Sequence, residues 1–181
     1  MILNNKWVPE VPRPELTDEA FEKFIKVWIE KEYPDDCEGI PAEETGLYEA
    51  LLSDWKGSDE LMAEDLIKCY GWSYAEAKEF EEKSLSFAIN KKEREMFQQW
   101  VAENGYTLPF PTGSRVKIDT WRGAVYGVIA QNQGEYFSTK GQAVVNLDIE
   151  NAIVTYSGTV LDQRAFPWEM LELVEEQNET L

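Results

Sequence analysis

Pro109-Phe110-Pro111-Thr112-Gly113-Ser114-Arg115-Val116-Lys117-Ile118 is the stretch at which the chain changes character. Before it, apolar residues recur at helical spacing; from it onward they alternate with polar ones, the pattern of half-buried strands. Val116 and Ile118 alternate with Arg115, Lys117 and Asp119. Ala124 to Ala130 is a small, β-branched run, Ala143 to Ile149 alternates around Val145 and Leu147, and Ile153 to Tyr156 and Leu171 to Val174 follow. Trp121-Arg122-Gly123, Asn132-Gln133-Gly134, Glu150-Asn151 and Ser157-Gly158 separate them as turns. Arg164-Ala165-Phe166-Pro167-Trp168-Glu169-Met170 reads as a tight apolar turn. Five short strands over 109–175 suffice for a small closed barrel, which removes exposed strand edges.

Outward toward the N-terminus the reading is helical. Thr17 is an N-cap, and Phe21, Phe24, Ile25, Trp28 and Ile29 form one helix face that Pro34 terminates. A second helix carries Leu47, Leu51, Leu52 and Trp55; a third, capped by Ser58 and stopped by Gly71, turns Leu61, Met62, Leu66 and Cys69 inward. Ser73 with Glu76 forms a capping box, and Asn90 with Glu93 repeats that spacing, so 74–104 is one long helix or two. Residues 1–16 hold Pro9, Pro12 and Pro14 and read as an extended arm over the surface or a loose end. The expected architecture is α+β: an arm (1–16), an acidic all-helical domain of four or five helices (17–108), a small five-stranded barrel (109–175) and a tail (176–181).

Charge is the second strong signal. The 181 residues hold 35 Asp and Glu against 17 Lys and Arg, with no histidine, for a formal charge of −18. Between Glu15 and Glu82 there are 21 acids and 6 lysines, a net of −15. Such density opposes compaction through self-repulsion, so the field is either used or serves solubility. Acids at helix starts also complement the helix dipole. The chain is not a disordered acidic tail, because 13% of its residues are aromatic and 43% hydrophobic.

Several chemistries lack their residues. Without histidine there is no Ser-His or Cys-His nucleophile and no HExxH zinc site. Gly123-Ala124-Val125-Tyr126-Gly127 is not a phosphate-binding loop, and Ser138-Thr139-Lys140-Gly141 reads as a hairpin turn. Asp35-Asp36-Cys37-Glu38-Gly39 lacks the spacing of a calcium loop. Cys37 and Cys69 are too few for a disulfide framework and read as reduced thiols, Cys69 buried. The expectation is a protein without catalytic residues, cofactor or metal. Its apolar runs are too short to span a bilayer and its first residues lack a signal-peptide core, so a cytoplasmic location is expected, away from membranes.

Gly113-Ser114-Arg115-Val116-Lys117-Ile118, Gly127-Val128-Ile129, Val144-Val145-Asn146-Leu147-Asp148 and Phe166-Pro167-Trp168 before a last strand resemble the strand order of SH3-like barrels. That resemblance covers 112–175 and implies a fold, since the group includes nucleic-acid binders, enzyme subunit domains and peptide binders. Over 109–181, ten acids against Arg115, Lys117, Arg122, Lys140 and Arg164 argue against direct nucleic-acid binding. In such barrels the loops line a shared groove, which would gather Trp121 and Trp168 with Tyr126 and Tyr136; alternatively Trp168 plugs the barrel end. In size, acidity and lack of catalytic motif the chain is similar to phage and plasmid inhibitors of restriction or CRISPR enzymes, which imitate DNA. On that reading Asp35, Asp36, Glu38, Glu43, Glu44, Asp59, Glu60, Glu64 and Asp65 form the face that meets a basic nucleic-acid-binding protein. The alternative is an interaction module or accessory subunit that binds through the barrel.

Overall fold

A computed structural model describes residues 1–121, 123–154 and 160–174. The chain is α+β and divides into two compact units, Glu15–Glu93 and, discontinuous in sequence, Met1–Pro14 with Arg94–Leu181.

The helical unit is built from well-signalled helices. Helix α1 (Asp18–Glu32) starts where the Thr17 hydroxyl accepts from the Ala20 amide, with Asp18 and Glu19 in its first turn, and ends at Tyr33 before Pro34. A 3-10 turn (Ala42–Glu44) leads into α2 (Gly46–Asp54), capped by Thr45. Ser58 caps α3 (Asp59–Tyr70), which closes on Gly71 at φ 74°, a left-handed position where a Cβ would strain. The expected Ser73–Glu76 capping box opens α4 (Tyr74–Lys83). Ile25, Trp28, Ile29, Leu51, Met62, Leu66, Phe80 and Leu85 form the core of this unit. Burying each such side chain contributes about 1.5–3 kcal/mol, and together they offset both chain entropy and the mutual repulsion of 22 acids among 9 lysines.

Residues 74–104 are two helices, not one. The break falls at Ser84, whose φ of 46° is left-handed, and α5 (Leu85–Glu103) runs through Asn90, which caps nothing. The first turn of α5 is satisfied from outside: the Asp59 carboxylate accepts from the Ser86 amide at 3.0 Å and from the Ser84 and Ser86 hydroxyls. Two further side chains sit otherwise than expected. Leu61 and Cys69 are exposed, and Ala63 turns inward beside Met62 and Leu66.

The second unit is a seven-stranded antiparallel sheet in the order β1-β2-β9-β3-β4-β5-β8. Its strands are β1 (Ile2–Leu3), β2 (Lys6–Trp7), β3 (Arg115–Thr120), β4 (Gly123–Ile129), β5 (Gln142–Leu147), β8 (Gln163–Pro167) and β9 (Leu171–Leu173). A one-turn helix α6 (Glu135–Ser138) precedes β5, and β6 (Ile153–Val154) pairs with β7 (Val160–Leu161) as a separate hairpin. Gly127 lies in β4 where a Cβ would come within 2.4 Å of the Asn146 carbonyl oxygen, so the close approach of β4 to β5 requires glycine. Trp7, Trp100, Phe110, Val116, Ile118, Val145, Phe166, Trp168 and Leu171 form its core.

This corrects three expectations. The five-stranded closed barrel is a larger sheet, and among the described residues no ladder joins β1 to β8. The Arg164–Met170 turn is half strand: β8 pairs with β5 through Phe166 opposite Ala143, and only Trp168–Met170 turns, as a 3-10 helix. The strand expected at 153–156 is β6 instead, outside the main sheet, while Tyr156 and the tail 176–181 lie outside the described residues. Met1–Pro14 belong to the sheet unit, and the two units part between residues 93 and 94. Asn4 and Asn5, at φ 49° and 62°, make a tight turn that folds β1 onto β2, and β2 adds to β9 through Lys6 opposite Glu172.

Two side chains fasten this N-terminal segment. Trp7 meets Tyr106, Trp168 and Trp100 edge-on, at ring separations of 5.2, 5.7 and 6.1 Å. Arg13 makes a bidentate pair with Glu169 at 2.8 and 2.9 Å, donates to the Lys140 and Gly141 carbonyls, and stacks on Phe97 and Trp100. Lysine cannot reproduce that fork. Trp7→Ala is therefore expected to cost about 3–5 kcal/mol and Arg13→Lys about 2 kcal/mol. Urea unfolding with amide exchange of β9 reads both; an arm that only lies on the surface would lose under 0.5 kcal/mol, about what a surface substitution costs.

Candidate functional site

The nine carboxylates of the expected acidic face separate into two kinds. Four are held within the helical unit. Asp59 caps α5, Glu43 pairs with Lys26, Glu64 with Lys68 at 2.7 Å and Asp65 with Lys56 at 2.6 Å. The hydrogen bond from Lys26 holds the Glu43 carboxyl below its ordinary range. The other five, Asp35, Asp36, Glu38, Glu44 and Glu60, are exposed and have no ion pair among the described residues. Four of these five fall in the segment between α1 and α2, where Pro34 and Pro41 keep the chain out of a helix. Cys37 in that segment has its thiol pushed up by desolvation and by the charges of Glu30, Asp36 and Glu43, so it stays protonated and unreactive near neutral pH.

Asp35 and Asp36 also border a cleft of about 300 Å³ that no motif announced. Its walls include Tyr33 and Trp72, whose rings lie 6.4 Å apart, and the carboxylates of Glu32, Glu76 and Glu79. Lys83 sits over the Tyr33 ring, its ammonium 3.7 Å from the centroid, and pairs with Glu79 at 2.9 Å. These residues are drawn from the end of α1, the turn before α4 and one face of α4. Their sequence separation hides them from any local reading; the one visible signal is Glu76, Glu79 and Lys83 at helical spacing.

The four residues expected to line a barrel groove lie in different settings. Trp168 is 1% exposed within the core, and its indole Nε1 has no hydrogen-bond partner among the described residues. Trp121, at the turn between β3 and β4, is 88% exposed. Tyr126 is half-buried in β4 opposite Lys117. Tyr136 is exposed on α6, where Lys140 lies over its ring at 3.7 Å and Arg94 at 6.0 Å. Hydrogen bonds from Lys140 and then Arg94 lower the Tyr136 phenol from its ordinary value.

Tyr33, Tyr48 and Tyr70 of the helical unit shift the other way. Burial, with the Glu22 carboxylate that accepts from its hydroxyl, pushes Tyr48 up to about 12. The bond to Asp54, then burial, pushes Tyr70 up to about 12. Since these phenols ionise in the unfolded chain near 10, their contribution to stability is whole below about pH 10 and is lost as pH rises toward about 12. An ultraviolet titration of the tyrosines should show Tyr136 ionising first and Tyr33, Tyr48 and Tyr70 last, with the helical unit loosening over that upper interval. Tyr48→Phe and Tyr70→Phe should shrink the late step to the part that Tyr33 contributes. A single step near pH 10 for all tyrosines would contradict these assignments.

Comparison with protein-family models, with curated proteins and with solved structures finds no match to this chain.

Proposed function

We propose that this chain is a non-enzymatic acidic binding protein whose helical unit occupies the basic surface of a nucleic-acid-handling protein in place of DNA. One observation carries the reading: the charge is segregated. The helical unit holds 22 acids against 9 lysines, a net of −13, whereas the rest of the chain holds 13 against 8, a net of −5. Duplex DNA presents about one charge per 1.7 Å of axis, and a partner built for it offers lysines and arginines that carboxylates satisfy equally. The unpaired acids of the segment between α1 and α2 are those such a partner meets first, because engaging them breaks no internal ion pair. Inhibition of a restriction or CRISPR enzyme is the kind of activity this describes.

A second reading rests on the sheet unit. The order β9-β3-β4-β5-β8, with a 3-10 turn directly before β9, supports the SH3-like resemblance of 112–175. The exposed Trp121 at the β3–β4 turn is the anchor such an interaction module would offer.

Competition separates the two. The chain should displace a fluorescent duplex from basic nucleic-acid-binding proteins without binding the duplex itself, and progressively less well as salt rises. Changing Asp35, Asp36, Glu38 and Glu44 together to Lys should weaken the displacement at least tenfold without unfolding the protein, since exposed charges contribute little to stability. Reversing Glu43, Glu64 and Asp65, which are already paired, should weaken it less. Intact competition by the quadruple variant, together with its loss in Trp121→Ala, would transfer the function to the sheet unit.

A further inference from the structure

We propose that the cleft between Tyr33 and Trp72 is a socket for one lysine or arginine side chain of the basic partner, a specific anchor within the otherwise diffuse acidic surface. The inference rests on the functional reading above for the identity of the occupant, and on the helical unit alone for the chemistry. Three features of the cleft carry it.

The first is its composition. Five carboxylates, Glu32, Asp35, Asp36, Glu76 and Glu79, line it with one lysine, Lys83, and its aromatic walls are Tyr33 and Trp72. Aromatic faces bounded by carboxylates recognise organic cations, because the ring quadrupole and the carboxylate attract the same charge. Divalent metal is the competing occupant, yet among the described residues no three acidic or thiol side chains gather as metal ligands. At about 300 Å³ the cleft is at the small end of ligand pockets.

The second is that the cleft already holds one ammonium in this manner. Lys83 places its Nζ over the Tyr33 ring, pairs with Glu79 and donates to the Glu32 carbonyl oxygen. One internal cation against five carboxylates leaves the site at a net of −4. Among the described residues no cation engages Asp35, Asp36 or Glu76, and of these Glu76 is already held by the Ser73 amide.

The third is an unsatisfied group. Tyr33 is 8% exposed, and its hydroxyl is buried with no hydrogen-bond partner among the described residues. Leaving such a group unpaired costs about 1–3 kcal/mol, so a structure that retains one stores an affinity for whatever pairs it. Burial and the charges of Glu79, Asp36 and Glu32 hold the phenol protonated. Its oxygen accepts from an incoming ammonium or guanidinium, while those same carboxylates neutralise the incoming charge.

The test titrates the full chain, followed by the NMR signal of the Trp72 indole N–H, with three capped tripeptides, Gly-Lys-Gly, Gly-Arg-Gly and the uncharged Gly-norleucine-Gly, and with spermidine. The lysine and arginine peptides should saturate the Trp72 shift, and the norleucine peptide should not. Asp35→Asn with Asp36→Asn, on an exposed segment where folding is retained, should weaken that binding at least fivefold, and Tyr33→Phe should weaken it while leaving the ring in place. Glu135→Gln, exposed in the sheet unit and outside the cleft, should leave it unchanged. A linear, unsaturated shift, or one equal in the Asp35/Asp36 variant, would overturn the socket. Tighter, saturating binding of spermidine would assign the cleft to a free polyamine and overturn it as well. A cleft that binds the peptides in a protein that displaces no DNA defeats the functional reading and leaves the socket standing; displacement with a silent cleft defeats the socket alone.

Discussion

The fold of the sheet unit depends on one half-buried guanidinium. Arg13 sits where two backbone carbonyls, those of Lys140 and Gly141, point at the same place as the Glu169 carboxylate. All three need donors in one plane, and a guanidinium supplies them with its faces still free to stack on Phe97 and Trp100. Gly141 is obligatory there, since a Cβ would come within 2.9 Å of both Arg13 and Trp100. With Arg13 in place, the preceding residues are delivered to β9, where β2 extends the sheet and Trp7 completes a cluster with Trp100, Tyr106 and Trp168. The N-terminus and the last strand thus become one structure although the whole helical unit lies between them in sequence.

This arrangement separates two tasks. In the sheet unit Lys6 and Lys117 share Asp119 and Glu172, and Arg115 holds Asp148 with two hydrogen bonds. The helical unit carries the larger excess of acid. Its lysines pair mostly with acids one turn away or in the adjoining helix, which leaves the α1–α2 segment with acids and no cation except Lys26 on Glu43. A core of close-packed aliphatic and aromatic side chains tolerates that excess because burial contributes far more than exposed charges take away.

Local signals were legible in the sequence and distant ones were not. Thr17, Ser58 and Ser73 begin helices because a side-chain oxygen meets an amide three residues on, a relation written in consecutive residues. Asn4-Asn5 carried an equally local hairpin signal, masked by the three prolines that follow. The break at Ser84 rests on Asp59, twenty-five residues upstream, which the same reading assigned to a binding face. Trp168 looked available for binding because loops of SH3-like barrels line a groove; in the fold it is buried in a cluster that includes Trp7, from the far end of the chain. The cleft at Tyr33 escaped notice because its aromatic and acidic members come from three separate segments, and proximity of that kind has no signature in spacing.

The central claim is that recognition belongs to the helical unit and is electrostatic. Hydrogen–deuterium exchange of the full chain, free and bound to a basic nucleic-acid-binding protein that it displaces from DNA, measures this most directly. The account predicts slowed exchange from the end of α1 through the 3-10 turn at Ala42–Glu44 and at the turn before α4, fading as salt is raised, with the β3–β4 turn unchanged. Protection centred on the β3–β4 turn around Trp121 and indifferent to salt would contradict it.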